Sequence, residues 1–414
     1  MEKNSIKYWI HPSDTKFVLA QIDDTPLTCI DFWCKAGSYF EKKGEEGMAH
    51  FLEHMLFKGS RNLEQGEFDF KIENMGGSSN AATGLDDVHY YVLVPTSKME
   101  NSIELILELV LYPRIRSKHF EKEREVIIEE IKQQYDEPDE VIYKNLLAKI
   151  WGKHPYGRSI LGEENSIKQS SIDKIIDFHQ RLYIQNNYII SIAGDLPQDI
   201  EKILLNLENI GSSNNKKKYN EVSIFSSFKE GEETLFLDNL NISRVIISWE
   251  VSLINYQKLL VGYELLSYIM TEGRRSLLVK ELRERKKLVD SVNSEIIGNE
   301  KGGILTIEAF CKKKDIRLVE KIILESMYKF SLSDNINSYI LRGSKMLINS
   351  YLFNIENSLL KASYYGSNLL WGREFPLNNL KDDINYWSNS LNIKNLVKNL
   401  LSNKTFKLFV IDSK

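Results

Sequence analysis

The chain says the same thing twice. Residues 243–252, SRVIISWEVS, echo the early strand pattern TCIDFWCKAGS at 28–38. The apolar stretch 256–273, YQKLLVGYELLSYIMTEG, stands where EGMAHFLEHMLFKGS stands at 46–60. LVDSVNSEI follows at the place of GGSSNAATG, at an offset of about 213, and GGILTIEAF at the place of HYYVLVPTS. Trp371–Gly372 and Pro376 repeat Trp151–Gly152 and Pro155 with the offset drifted to 220–221. KTFKLFVID closes the chain as NYIISIAG closes the first half. Echoes in the same order with a drifting offset are what insertions into a duplicated unit leave behind. A chain of 414 residues is also too long for one ordinary core. The expectation is two homologous domains, 1–210 and 221–414. They are joined by a polar, glycine-led linker at 211–220, GSSNNKKKYN.

The first copy differs from the second at one place that carries chemistry. In GMAHFLEHMLFKGS, His50 and His54 lie four apart, one helical turn along the same face. Glu53 projects about 60° from that face, at roughly 100° per residue. Two imidazoles at this spacing make a pair of nitrogen ligands for zinc. A carboxylate on the same turn can reach a metal-bound water and take its proton. The neighbours Met48, Phe51, Leu52, Met55 and Leu56 bury the helix, so the polar trio needs partners. A lone core histidine is usually only a hydrogen-bonded core residue, but the repeat supplies a control. At the offset of 213, His50 falls on Tyr263, Glu53 on Leu266 and His54 on Ser267. The fold therefore packs this helix without the trio, which points to function.

A zinc site with two histidines needs a third protein ligand and an open position. The acidic helix at 120–137 is the obvious supplier. Glu123 and Glu130, seven apart, share the stripe of Ile127, while Glu121, Glu125 and Glu129 read as a solvated face. Spacing alone leaves Glu123 and Glu130 as alternatives.

Composition narrows the remaining classes. Net charge is −4 with both signs mixed, which argues against a nucleic-acid partner. Cys29, Cys34 and Cys311 form no disulfide framework. The N-terminus has neither an apolar core nor a cleavage site for secretion, and no apolar run reaches the roughly 20 residues of a membrane span. The expectation is a cytoplasmic protein with no membrane partner.

The segments HFLEHMLFKGS, GGSSNAATGLDDVHYYV, EREVIIEEI and HPYGRSILG, in this order across 47–162, resemble the pitrilysin, insulin-degrading and mitochondrial-processing peptidase family. The resemblance implies an α+β fold of two homologous domains, each an antiparallel sheet with helices packed on one side. It implies a zinc endopeptidase with one zinc per chain, held by His50, His54 and Glu130, with Glu53 as general base and Glu123 supporting the site from behind. It implies that a peptide substrate adds to the strand edge SSNAAT, with Asn80 and Ala81 at the matching positions. It further implies pairing of two such chains, as a homodimer or with a homologous partner. Arg283 matches an arginine that helps hold substrate. The tyrosine expected seven residues on is Asp290, and Leu277 replaces another arginine. Those departures leave a non-catalytic partner subunit as the alternative reading.

Overall fold

The structure is a computed structural model; it describes residues 6–207, 210, 228–238, 240–251, 256–373 and 376–413. The linker expected at 211–220 lies outside the described residues. The first half runs β1 (Ile6–Ile10), β2 (Lys16–Gln21), β3 (Leu27–Cys34), α1 (Met48–Leu56), α2 (Glu67–Asn74), β4 (Ser78–Thr83), β5 (Val88–Pro95), α3 (Met99–Leu111), α4 (Ser117–Asp136), α5 (Pro138–Trp151), α6 (Glu164–Lys168), α7 (Ile172–Leu182), β6 (Tyr188–Gly194) and α8 (Ile200–Leu205). The second half runs β7 (Gly231–Leu237), β8 (Ser243–Val251), α9 (Tyr256–Met270), β9 (Val289–Asn299), β10 (Gly302–Cys311), α10 (Ile316–Leu332), α11 (Asn337–Glu356), α12 (Ser358–Leu370), α13 (Pro376–Trp387), α14 (Ser390–Ser402) and β11 (Thr405–Asp412).

Two sheets form, ordered β1-β2-β6-β3-β5-β4 and β7-β11-β8-β10-β9. Apart from β1, which is an extra edge strand, the two orders correspond strand for strand. The fold is therefore mixed helix and sheet in two related halves, as the repeat implies. Two details refine the expected antiparallel sheets. β2 pairs with β6, and β7 with β11, in parallel. Each sheet also takes a helix on its second face.

The reason lies in how the strands are buried. β3 and β6 are buried on both sides, with Phe32, Cys34, Ile190 and Ile192 at 0% exposure on one face and Cys29 and Ala193 at 0% on the other. Such strands need cover on both faces. The chain supplies it by an exchange. One compact unit comprises Met1–Gln134, Arg158–Val222 and Phe353–Phe375; the other comprises Tyr135–Gly157, Ser223–Leu352 and Pro376–Lys414. α12, from late in the chain, thus lies on the first sheet. Ser358 Oγ donates to the Leu27 carbonyl at 2.8 Å and the buried Lys361 Nζ to the Gln21 carbonyl at 2.7 Å. α5, from early in the chain, lies in the second unit. Its Ile150 carbonyl accepts from Lys229 N at 2.8 Å, and Lys149 pairs with Glu233 at 2.6 Å. The Trp-Gly echo marks the ends of these two helices: Gly152 (φ 57°) follows α5 and Gly372 (φ 70°) follows α12.

Packing of α12 is close. A Cβ on Gly366 would stand 2.5 Å from Trp33 Cδ1, and that indole is already stacked on His89 with ring centroids 4.2 Å apart. Gly366→Ala should lower the melting temperature. The expected overpacking cost of about 1–3 kcal/mol exceeds the helix-propensity gain of about 1 kcal/mol. A thermal scan of the variant beside the wild type checks this; an unchanged or higher midpoint would show that the indole yields freely.

The second faces also carry matched acid–base contacts. Asp31 on β3 meets His89 Nδ1 on β5 at 3.0 Å, and Arg244 on β8 meets Glu308 on β10 at 3.2 Å. Register makes these the same positions: Trp33 pairs with His89 and Ile246 with Glu308, while Asp31 pairs with Tyr91 and Arg244 with Phe310. The polarity is reversed between the halves, and α5 brings Asp139 to Arg244.

Candidate metal centre

α1 is short and buried, with Met48, Ala49, Phe51, Leu52, Met55 and Leu56 all at 2% exposure or less. Its N-terminus has no side-chain cap from Gly47, which sits at φ 89°. Leucine 161 leaves no room there: a Cβ on Gly47 would lie 2.5 Å from the Leu161 carbonyl oxygen. The free amides are satisfied from a distance. Glu41 Oε1 accepts the Ala49 N–H at 2.9 Å. Burial raises the Glu41 carboxyl to about 8 against the pull of the Ala49 and Gly47 amides. Anchored at this end, α1 presents His50, Glu53 and His54 toward α4 and β4.

α4 meets it with the two glutamates on its apolar stripe. Glu123 is buried, whereas Glu121, Glu125 and Glu129 are exposed. Glu130 Oε2 lies 3.6 Å from His54 Nε2 and 3.9 Å from His50 Nε2. Glu123 Oε2 lies behind, 3.2 Å from His54 Nδ1, while its other oxygen pairs with Lys58 Nζ at 2.9 Å. One donor atom each from His50, His54 and Glu130 falls within 4.8 Å of the others, and among the described residues no other three His, Cys, Asp or Glu side chains do so.

These residues fit a zinc ion. Ligands around one tetrahedral zinc, at about 2.0–2.1 Å, stand about 3.4 Å apart, close to the separations found here. Burial, then the neighbouring His54, lowers His50 to about 4, so its imidazole is neutral and its nitrogen available as a ligand. Two nitrogens and one carboxylate oxygen leave a fourth position open, the pattern of a catalytic rather than a structural zinc. Glu123 on Nδ1 of His54 fixes the tautomer that turns Nε2 toward the cluster.

Glu53 stands beside this cluster. Burial pushes its carboxyl up, opposed by a hydrogen bond from Thr83 and by His54 and His89, with Glu130 adding to the rise. Thr83 Oγ1 donates to Glu53 Oε2. Thr83 ends β4, which among the described residues pairs only with β5 and forms the outer edge of its sheet. Along that edge Asn80 is exposed and Ala81 half-buried, and the Asn80 side-chain oxygen accepts the Ala81 N–H at 2.9 Å. Arg283 is exposed in the second unit, on the helical turn Val279–Arg285, and Asp290 is exposed near the start of β9. In that unit α9 is core where α1 is polar: Tyr263 is 3% and Leu266 1% exposed.

Two residues of this site escaped the sequence reading. Thr83 carried a faint signal, since Ser79, Ala81 and Thr83 alternate on the face of β4 that meets α1. Glu41 carried none, because eight residues separate it from the amide it caps, outside any local capping spacing.

Comparison with known proteins adds the following. A family profile described as "Insulinase (Peptidase family M16)" matches residues 16–164, and one described as "Peptidase M16 inactive domain" matches residues 170–341. An uncharacterized zinc protease of Rickettsia bellii is 31% identical over 68% of this chain and 67% of its own length. An uncharacterized zinc protease of Bacillus subtilis is 25% identical over 92% of both. The crystal structure of a protease from Helicobacter pylori superposes with a TM-score of 0.88 at 21% identity, covering 98% of this chain and 99% of that one. That last likeness is one of fold.

Proposed function

Since the chain belongs to the insulinase family of peptidases, family M16, we propose that it is a zinc-dependent endopeptidase acting on short or unfolded peptides. The observation that carries this reading is the meeting of His50, His54 and Glu130 beside the Glu53 carboxylate. In this reading the three residues hold one zinc per chain, and Glu123 orients His54 through Nδ1. Bound zinc supplies Lewis acidity, which brings the pKa of water toward about 7. Glu53 takes the proton of the attacking water and hands it to the leaving amine. The peptide lies along β4 as an added strand, where main-chain hydrogen bonds grip it without regard to sequence. Asn80 then has to release the Ala81 N–H to the substrate, which makes Asn80 a guard of an otherwise sticky edge.

Metal analysis of the purified chain, with a quenched-fluorescent peptide assay run with and without chelator, tests the proposal. Zinc near one equivalent and cleavage abolished by chelator are expected. Cleavage indifferent to chelator would defeat it. A second reading, a non-catalytic subunit, draws on Asp290 at the place of a substrate-holding tyrosine. It predicts that the chain binds zinc and peptide but cleaves nothing in the same assay.

The active form is proposed to contain two chains, either two copies or this chain with a homologous partner. Light scattering should give about twice 48.1 kDa, or a monomer that gains activity when a partner is added. A monomer that is fully active alone would refute it. A cytoplasmic location is proposed as well; the support is three buried cysteines without a disulfide.

A further inference from the structure

We propose that Thr83 is a positioning residue for the general base: its hydroxyl clamps one oxygen of Glu53 and so fixes the carboxylate for proton transfer. The inference rests on the function proposed above, and it concerns a side chain that neither the motif spacing nor the metal cluster singles out.

The geometry is specific. Thr83 Oγ1 donates to Glu53 Oε2, while among the described residues no protein group donates to Oε1. A glutamate on a short helix keeps free rotation about its last bonds unless something holds its end. A β-branched residue suits the task, because its own χ1 is restricted. β4 is itself held in register against β5, with Thr83 opposite Val88. The clamp therefore joins the proton-accepting group to the same strand that would receive the peptide. Base and substrate share one rigid reference, and positional errors of this kind are costly in catalysis.

The second half offers a rival explanation. Ser294 of β9 pairs with Ile307, and Ile247 of β8 pairs with the same residue, as Thr83 and Cys34 both pair with Val88. Ser294 is thus the counterpart of Thr83. Its hydroxyl lies 2.6 Å from Thr271 Oγ1, just past the end of α9. Leu266 holds the place of the base there. A hydroxyl here can therefore tie strand to helix with no catalysis involved, and the test must separate clamp from tie.

Thr83→Val keeps the shape and removes the hydroxyl; Thr83→Ser keeps the hydroxyl. In the zinc-loaded protein, Thr83→Val should lose about 10- to 100-fold in kcat, as expected for a hydrogen bond to a charged group. KM and zinc content should stay near wild type, and Thr83→Ser should recover most of the rate. In the metal-free protein, the infrared difference between wild type and Thr83→Val should show a shifted carboxylate stretch that disappears when both carry Glu53→Gln. An unchanged kcat in Thr83→Val overturns the proposal, as does an equal loss in the Val and Ser variants accompanied by a lowered melting temperature. If the wild type cleaves no peptide, the function reading fails, and the infrared shift alone decides whether Thr83 holds Glu53.

Discussion

Glu53→Gln is expected to leave no measurable peptide cleavage and an undiminished zinc content. Glutamine has the shape of glutamate and can still accept the Thr83 hydrogen bond through its carbonyl oxygen, so the helix and the cluster keep their geometry. What it cannot do is take a proton. Proton transfer by a positioned side chain contributes about 10²–10⁴-fold, and in the proposed mechanism the same group serves both water and leaving amine. The loss should therefore reach the upper end of that range or pass below detection. Metal analysis and the fluorescent peptide assay on the same preparation read both halves of the expectation. Turnover like that of the wild type in the Gln variant would remove Glu53 from the mechanism. Loss of zinc would make it a ligand.

The second large effect separates the two glutamates of α4. Glu130→Ala should lose its zinc and with it all activity, because this carboxylate is the one that approaches both histidine Nε2 atoms, at 3.6 and 3.9 Å. Glu123→Ala should keep zinc at micromolar metal and lose about 10–100-fold in affinity or activity, the usual effect of removing the partner behind a ligating histidine. It also leaves Lys58 without its carboxylate, a further reason for a graded loss. Glu129→Ala is the control, since its side chain is 63% exposed and pairs with Lys132 on the same helix. If Glu123→Ala lost metal and Glu130→Ala retained it, the roles would be exchanged. If both retained it, the third ligand would lie elsewhere.

The parts of this molecule that could be read from the sequence are those governed by short-range periodicity. His50, Glu53 and His54 announce themselves because one helical turn fixes their relation. Their absence from Tyr263, Leu266 and Ser267 shows that packing does not require them. Glu123 and Glu130 share a stripe for the same reason, and the structure finds both on the side of α4 that faces α1. The contacts that escaped are those whose partners are set by tertiary packing. Thr83 and Glu53 are 30 residues apart, and no local rule connects them. The exchange of α5 and α12 was hidden for a deeper reason. Each helix carries an apolar face, and an apolar face does not specify which of two similar sheets will cover it. The charges do discriminate: Asp139 on α5 finds Arg244 on the second sheet, whereas the matching place on the first sheet holds Asp31. Register shows that Asp31 and Arg244 are counterparts, and the sequence offset of 213 aligns the same two residues.

The exchange also sets a timetable for synthesis. A domain usually begins to fold as soon as its own residues have left the ribosome, N-terminal domain first. Here the first sheet cannot cover its second face until residues 353–375 emerge, although its last strand, β6, ends at Gly194. While residues 195–352 are being made, the nascent chain would carry Cys29, Trp33 and Ala193 on a bare apolar surface, with His50, His54 and Glu130 already synthesised. Ribosome-bound chains stalled between those two points should recruit holding chaperones and resist proteases poorly. Emergence of residues 353–375 should change both at once, so that the proposed ability to bind zinc tightly arrives late in synthesis.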